Sequence, residues 1–229
     1  MVIYVLNSKI TCGFVQFFET GGAKPISAMK YGKQTGMGQQ KNMTVSQPIY
    51  ILRRTVVLVG MMGSGKTAIG RALSDVLDVP YVDSDAEIEV AANATISEIF
   101  DKSGEPFFRD REAEIVSRLL QSAPCILSTG GGAYLAERNR SAISEHGVAV
   151  WLDADLDILW ERVRHKDTRP LLRTPDPRAT LAEIFEARAP VYAKADLRAV
   201  ADPAFSIEQM TDEVLRILAT RPDILEPTT

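Results

Sequence analysis

The sequence predicts an α/β fold in three layers, α/β/α, around a central sheet of five parallel strands. Three observations predict it. Short β-branched apolar runs alternate with amphipathic stretches of helical period, as in a parallel sheet covered by helices on both faces. A glycine-rich segment joins the first of these runs to a helix. The chain has 229 residues, 45% of them hydrophobic and 24% charged, enough for one substantial globular domain.

The elements read in order from Thr55. "TVVLV" (55–59) is uniformly apolar and β-branched, suited to a strand buried on both faces. Ile69, Leu73 and Val76/Leu77 recur at helical spacing, so Lys66 to Leu77 is a helix. "YVD" (81–83), "CILST" (125–129), "VAVWL" (148–152) and "LRAV" (197–200) complete the five strands. Thr95 with Glu98, Thr180 with Glu183 and Ser206 with Gln209 each have the spacing of a capping box at a helix start. The last opens a helix with Ile207, Met210, Val214 and Ile217 on one face. There is no internal repeat.

Residues 1–50 differ from the rest. They are rich in Gly, Lys, Gln and Ser without helical or strand period, and are expected to form a poorly structured extension to a domain over 51–229. Met43 is an alternative natural start. The net charge of −4 argues against general nucleic-acid binding. Cys12 and Cys125 form neither a disulfide framework nor a metal-ligand spacing, which favours a reducing compartment. No apolar run approaches the roughly 18 residues that span a membrane, and the N-terminus lacks the layout of a signal peptide. A cytoplasmic protein that works as a monomer is expected.

"GMMGSGKT" (60–67) follows the first strand. A GxxxxGK[ST] segment between strand and helix places backbone N–H groups around phosphate oxygens, where the helix dipole also favours negative charge. Lys66 would reach the β- and γ-phosphates, and Thr67 would offer its hydroxyl to Mg²⁺. Further groups stand where strand ends should be. Asp83 and Asp85 follow the second strand. One carboxylate near Mg²⁺ and one near an acceptor hydroxyl suit phosphoryl transfer to an alcohol; capping of the next helix is the alternative. In "FFRDRE" (107–112) the two aromatics are expected in the core. Arg109 is displayed as a two-point carboxylate binder or as part of a solvated helix face. Gly130, Gly131 and Gly132 would let a ligand touch backbone, or form a plain turn. "RHKDTRPLLRTPDP" (164–177) suits a mobile lid, or an ordinary charged loop. Arg188 stands late in a helix.

Taken together and in order, GMMGSGKT, DSD, FFRDRE, STGGG, TRPLL and EARAPVY resemble the shikimate kinases, P-loop proteins of the nucleoside-monophosphate-kinase-like type. The resemblance runs from about Arg53 to the C-terminus. It implies ATP as co-substrate, Mg²⁺, and transfer to the 3-hydroxyl of shikimate on the route to chorismate and the aromatic amino acids. It implies nucleotide contacts from Gly63, Ser64, Gly65, Lys66, Thr67 and Ala68. Asp83 would support Mg²⁺ together with Thr67. Asp85 would hold the ring hydroxyls and orient the attacking one, Arg109 and Arg188 the carboxylate, with Gly130, Gly131 and Gly132 alongside. Arg169 would come down with the lid onto substrate and transferring phosphate. Arg164 would lie by the adenine, opposite "ADP" (201–203). Another small-molecule kinase on this fold, such as a gluconate kinase, or a non-catalytic ATP-binding module, are the rival readings.

Overall fold

The computed structural model describes residues 50–165 and 170–228. Apart from Tyr50, the expected extension over 1–50, with Met43, lies outside the described residues, as do residues 166–169 of the expected lid. In chain order the elements are β1 (Tyr50–Leu52), β2 (Thr55–Val59), α1 (Lys66–Leu77), β3 (Tyr81–Asp83), α2 (Ser84–Ala92), α3 (Ile96–Leu120), β4 (Ile126–Ser128), α4 (Glu137–His146), β5 (Gly147–Asp153), α5 (Leu156–Val163), α6 (Pro177–Tyr192), β6 (Leu197–Val200), α7 (Ile207–Leu218) and β7 (Leu225–Pro227).

The five expected strands form one parallel sheet in the order β3-β4-β2-β5-β6. β2 is central and buried along its whole length, which is why its sequence shows no polar alternation. Val57 and Val59, with Leu127 and Ala149, face a core closed by Val116 of α3, Ile143 of α4, Leu159 of α5 and Leu181 of α6. Val56 and Leu58, with Ile126 and Val150, face Leu73 of α1 and Val214 of α7. Leu73 and Val214 are fully buried, and removing such a side chain from water contributes about 1.5–3 kcal/mol. A third cluster, of Ile88, Ile99, Phe108 and Ile115, fastens α2 to α3 beside the sheet.

The outer strand pair was not anticipated from the sequence. β1 pairs antiparallel with β7, Ile51 opposite Glu226, and Arg53 Nε donates to Glu226 at 2.6 Å. Tyr50 therefore belongs to this ribbon, not to the extension.

The capping boxes at Thr95 and Ser206 are both formed. The one expected at Thr180 is not. α6 begins at Pro177, three residues earlier, where Asp176 accepts from the Ala179 N–H at 3.0 Å. Proline is pre-set for the first helical turn and aspartate for the cap, so the pair Asp176-Pro177 outweighs the later Thr180, whose hydroxyl donates back to the Asp176 carbonyl and meets the Thr174 hydroxyl at 2.8 Å. The aromatics of "FFRDRE" also divide. Phe108 is buried, its ring 4.7 Å from that of Phe100, whereas Phe107 is exposed beneath Arg111. Adjacent helical positions point about 100° apart, so both rings cannot enter one core.

If Asp176 is the cap, Asp176→Ala should cost about 1 kcal/mol of stability in a denaturant titration, and Glu183→Ala should leave the midpoint unchanged.

Candidate active site

The glycine-rich loop leaves the end of β2 and enters α1. Gly63 (φ 84°) and Gly65 (φ 101°, the N-cap of α1) stand in left-handed backbone, which glycine adopts without strain. The loop so curls around its own lysine. Lys66 Nζ donates to the carbonyls of Gly60 at 2.9 Å and Met61 at 3.0 Å. The Ser64 hydroxyl is buried in the loop with no hydrogen-bond partner among the described residues.

The end of β3 carries the acidic pair. Asp83 does cap α2, its Oδ1 accepting from the Asp85 N–H at 3.0 Å. Its Oδ2 accepts from the Tyr81 hydroxyl at 3.2 Å. Tyr81 was not singled out from the sequence; only its place at a strand end marks it. A Cβ at Gly70 would stand 2.7 Å from its ring, so the ring packs closely on α1 while its hydroxyl reaches Asp83. Asp85 points inward. Its Oδ1 is buried without a hydrogen-bond partner among the described residues. Burial, and after it the charge of Asp83, pushes the Asp85 carboxyl above the usual carboxylate range against the pull of Lys66.

The triple glycine after β4 sits against three side chains at once. A Cβ on Gly130 would lie 2.6 Å from Asp85 Oδ1, one on Gly132 would lie 2.6 Å from Arg109 Nη1, and one on Gly131 would lie 3.7 Å from Arg188 Nη1. Side chains at the first two positions would displace the carboxylate and the guanidinium. The structure thus brings Asp85, Arg109, Arg188 and the glycines to one place from α2, α3, α6 and the β4 turn. Arg109 is held from both sides. Glu112, 1% exposed, accepts from Nη1 at 3.0 Å, and the exposed Glu105 accepts from Nη2 at 3.0 Å. Burial pushes the Glu112 carboxyl up, while Arg109 opposes that shift. α3 itself is broken at Gly104 (φ 77°, ψ 171°), so Arg109 lies near the start of its second segment.

A cavity of about 460 Å³ lies over the loop at the carboxyl ends of β2, β3 and β4. Gly63 to Ala68, Asp83, Asp85, Gly130 and Gly131 line it. Gly132, Arg109 and Arg188 are not among the lining residues, but the two arginines abut the turn at Gly132 and Gly131.

Arg164, expected by the adenine, is not among the residues that line this cavity. Arg164 turns outward and pairs with Glu161 at 3.0 Å. Arg162 lines the cavity, and its Nη1 donates to the carbonyl of Gly63 at 3.3 Å. The helical period carried this information. Ile158, Leu159 and Val163 are buried on α5; at about 100° per residue Arg162 falls between Ile158 and Leu159 on that side, while Arg164 falls off it. Of the expected "ADP" (201–203), Ala201 and Asp202 line the cavity and Pro203 does not; Phe205 and Ile207 line it as well. Ile207 was expected on the packed face of α7 and is 52% exposed. Arg169 lies outside the described residues. Between Arg164 and α6, Leu172 is buried in the core and anchors the described part of the expected lid.

Among the described residues no three acidic, His or Cys side chains could cage a metal ion. Mg²⁺ does not require such a cage. It binds through one or two carboxylates and substrate phosphates and keeps several waters. The Thr67 hydroxyl and the Asp83 carboxylate, both of residues that line the cavity, suit that mode.

A curled loop at a helix N-terminus, its lysine and a buried carboxylate across a cavity define a phosphotransferase of the P-loop class. Residues 62–219 match the shikimate kinase family. A shikimate kinase of Ruegeria pomeroyi is 66% identical over 175 residues, 76% of this chain and 90% of its own length. One of Cereibacter sphaeroides is 63% identical over 175 residues, 76% of this chain and 87% of its own. Among solved structures, shikimate kinase from Acinetobacter baumannii in complex with shikimate is similar at 32% identity and a TM-score of 0.68, covering 73% of this chain and 93% of that one. The chain belongs to the shikimate kinase family.

Because Arg162 and not Arg164 faces the loop, Arg162→Ala should raise the KM for ATP several-fold, and Arg164→Ala should leave it unchanged in steady-state assays.

Proposed function

We infer that the chain transfers the γ-phosphoryl group of ATP to the 3-hydroxyl of shikimate, giving ADP and shikimate 3-phosphate on the route to chorismate, with the residues around the cavity divided between the two substrates. The observation that carries the division is the triple-glycine turn. On its near side is a phosphate loop, and against it stand a carboxylate and two guanidinium groups. A small polyhydroxy acid needs that set: guanidinium forks for its carboxylate and a carboxylate for its hydroxyls.

Gly63 to Ala68 would wrap the phosphates, with Lys66 leaving the loop carbonyls for the β- and γ-phosphates. Arg109 and Arg188 would take the acceptor's carboxylate. Glu112 is buried and keeps its hold on Arg109; Glu105 is 63% exposed and is the partner that an incoming carboxylate can replace. Asp85 would accept a hydrogen bond from the attacking hydroxyl and aim it in line. Its raised carboxyl makes it a better proton acceptor than an ordinary aspartate. Deprotonation need not come early, because phosphoryl transfer passes through a loose transition state. The charge that spreads over the transferring group falls on Lys66 and the loop amides, and Arg169 joins them if the lid closes. Arg162 takes the adenine-side place first expected of Arg164. Thr67 and Asp83 would hold Mg²⁺, which when bound neutralises phosphate charge.

No helix among the described residues is long and apolar enough to cross a membrane. We place the enzyme in the cytoplasm, acting as a monomer on small molecules and without a nucleic-acid partner.

The test is ADP release from MgATP with shikimate, quinate, gluconate or no acceptor. Release that depends on shikimate is expected; release that depends on gluconate alone would overturn the acceptor assignment. Lys66→Ala should lower kcat by about a hundred- to a thousandfold with little change in Tm, the size of effect seen when one such electrostatic group is removed. Arg109→Ala should raise the KM for shikimate far more than that for ATP; equal rises would remove Arg109 from the carboxylate site.

A further inference from the structure

Tyr192 ends α6 and is 1% exposed. Its hydroxyl donates to the carbonyl of Gly131 at 2.5 Å. Its ring stacks on Trp151 of β5, with 6.4 Å between centroids and 28° between planes. The side chain is thus anchored on the sheet and aimed at the middle glycine of the turn. Arg188 lies one helical turn earlier on α6, on the same face, with Nη1 beside Gly131. Burial pushes the Tyr192 phenol up, and the nearby Arg188 works the other way; it stays protonated as a donor at neutral pH.

We propose that Tyr192 is a positioning residue for the acceptor: its hydroxyl fastens the Gly131 carbonyl to α6, so that the glycine turn and Arg188 hold one fixed relation. This rests on the assignment of the turn and Arg188 to shikimate. Gly130 and Gly132 flank the fastened carbonyl and abut Asp85 and Arg109. A shift of Gly131 therefore alters the spacing of all three charged groups that meet the acceptor. Gly131 also lies beside Gly60 and Met62 of the nucleotide loop, but that loop has its own ties through Lys66 and Arg162, so the larger effect of losing this bond is expected on the acceptor side.

The experiment is Tyr192→Phe, which keeps the ring and its stack and removes only the hydroxyl. Shikimate affinity is measured by calorimetry, and both KM values by ADP release. The Kd for shikimate should rise about tenfold, the size of effect expected when a part-buried carbonyl loses its donor, with the KM for ATP within about twofold of wild type. Trp151→Phe, which disturbs the stack but not the hydroxyl, should lower Tm and leave the shikimate Kd unchanged. 4-Aminophenylalanine placed at 192 restores a donor and should bring the Kd back towards wild type. A Tyr192→Phe protein with lowered Tm and unchanged shikimate Kd overturns the proposal, as does an equal loss for ATP and shikimate or a failure of the amino analogue to recover binding. If the wild-type chain itself does not bind shikimate, the acceptor assignment fails first. If it binds and Tyr192→Phe binds equally, only the role of Tyr192 fails.

Discussion

Three glycines without side chains make the room on which this site depends. Charged groups from three helices can meet at the end of β4 only because nothing projects from residues 130–132. A methyl group at Gly130 or Gly132 would come within 2.6 Å of Asp85 or Arg109. Such close approach is what glycine permits and every other residue refuses. The convergence is costly in charge as well as space. Asp85 and Glu112 are carboxylates withdrawn from water, and burial raises both. Arg109 and Lys66 offset part of that.

The sheet supplies the complementary constraint. β3, β4 and β2 are neighbours, and being parallel they release their loops on the same side. The acidic pair, the glycine turn and the phosphate loop are therefore side by side, although some 70 residues separate the first loop from the turn. Both faces of β2 are sealed by helices, so the site can open only at the strand ends. The ring of Tyr81 lies between α1 and Asp83, and Tyr192 lies between β5 and the glycine turn. Each tyrosine joins an apolar layer to a functional carbonyl or carboxylate, a use suited to a side chain with one apolar body and one polar tip.

Where the sequence could be read, local physics explains why. "TVVLV" is a strand because a doubly buried strand has no polar face to show. Lys66 to Leu77 is a helix because Ile69, Leu73 and Leu77 share a stripe. The capping boxes at Thr95 and Ser206 formed because nothing competed with them. Thr180 had the same pattern but lost to Asp176-Pro177, a stronger start. The family resemblance alone implied Arg164, whereas the period of α5 places Arg162 towards the loop. Phe107 was assigned to the core by hydrophobicity alone, against its angular position. The β1–β7 ribbon had no local mark, since three-residue strands at opposite ends of a chain pair only through the fold between them.

The sequence by itself determined the layered class, the five strands, the phosphate loop and the identity of the acidic, basic and glycine residues around it, because these depend on periodicity, φ preference and residue chemistry, all carried by neighbours in the chain. The tertiary structure alone decided which side chain each glycine admits, which of two nearby arginines faces the loop cavity, and that Tyr81 and Tyr192 tie polar groups of the site to the packed layers. Those outcomes depend on distances between segments far apart in sequence, set by strand order and helix packing, and no local pattern encodes them.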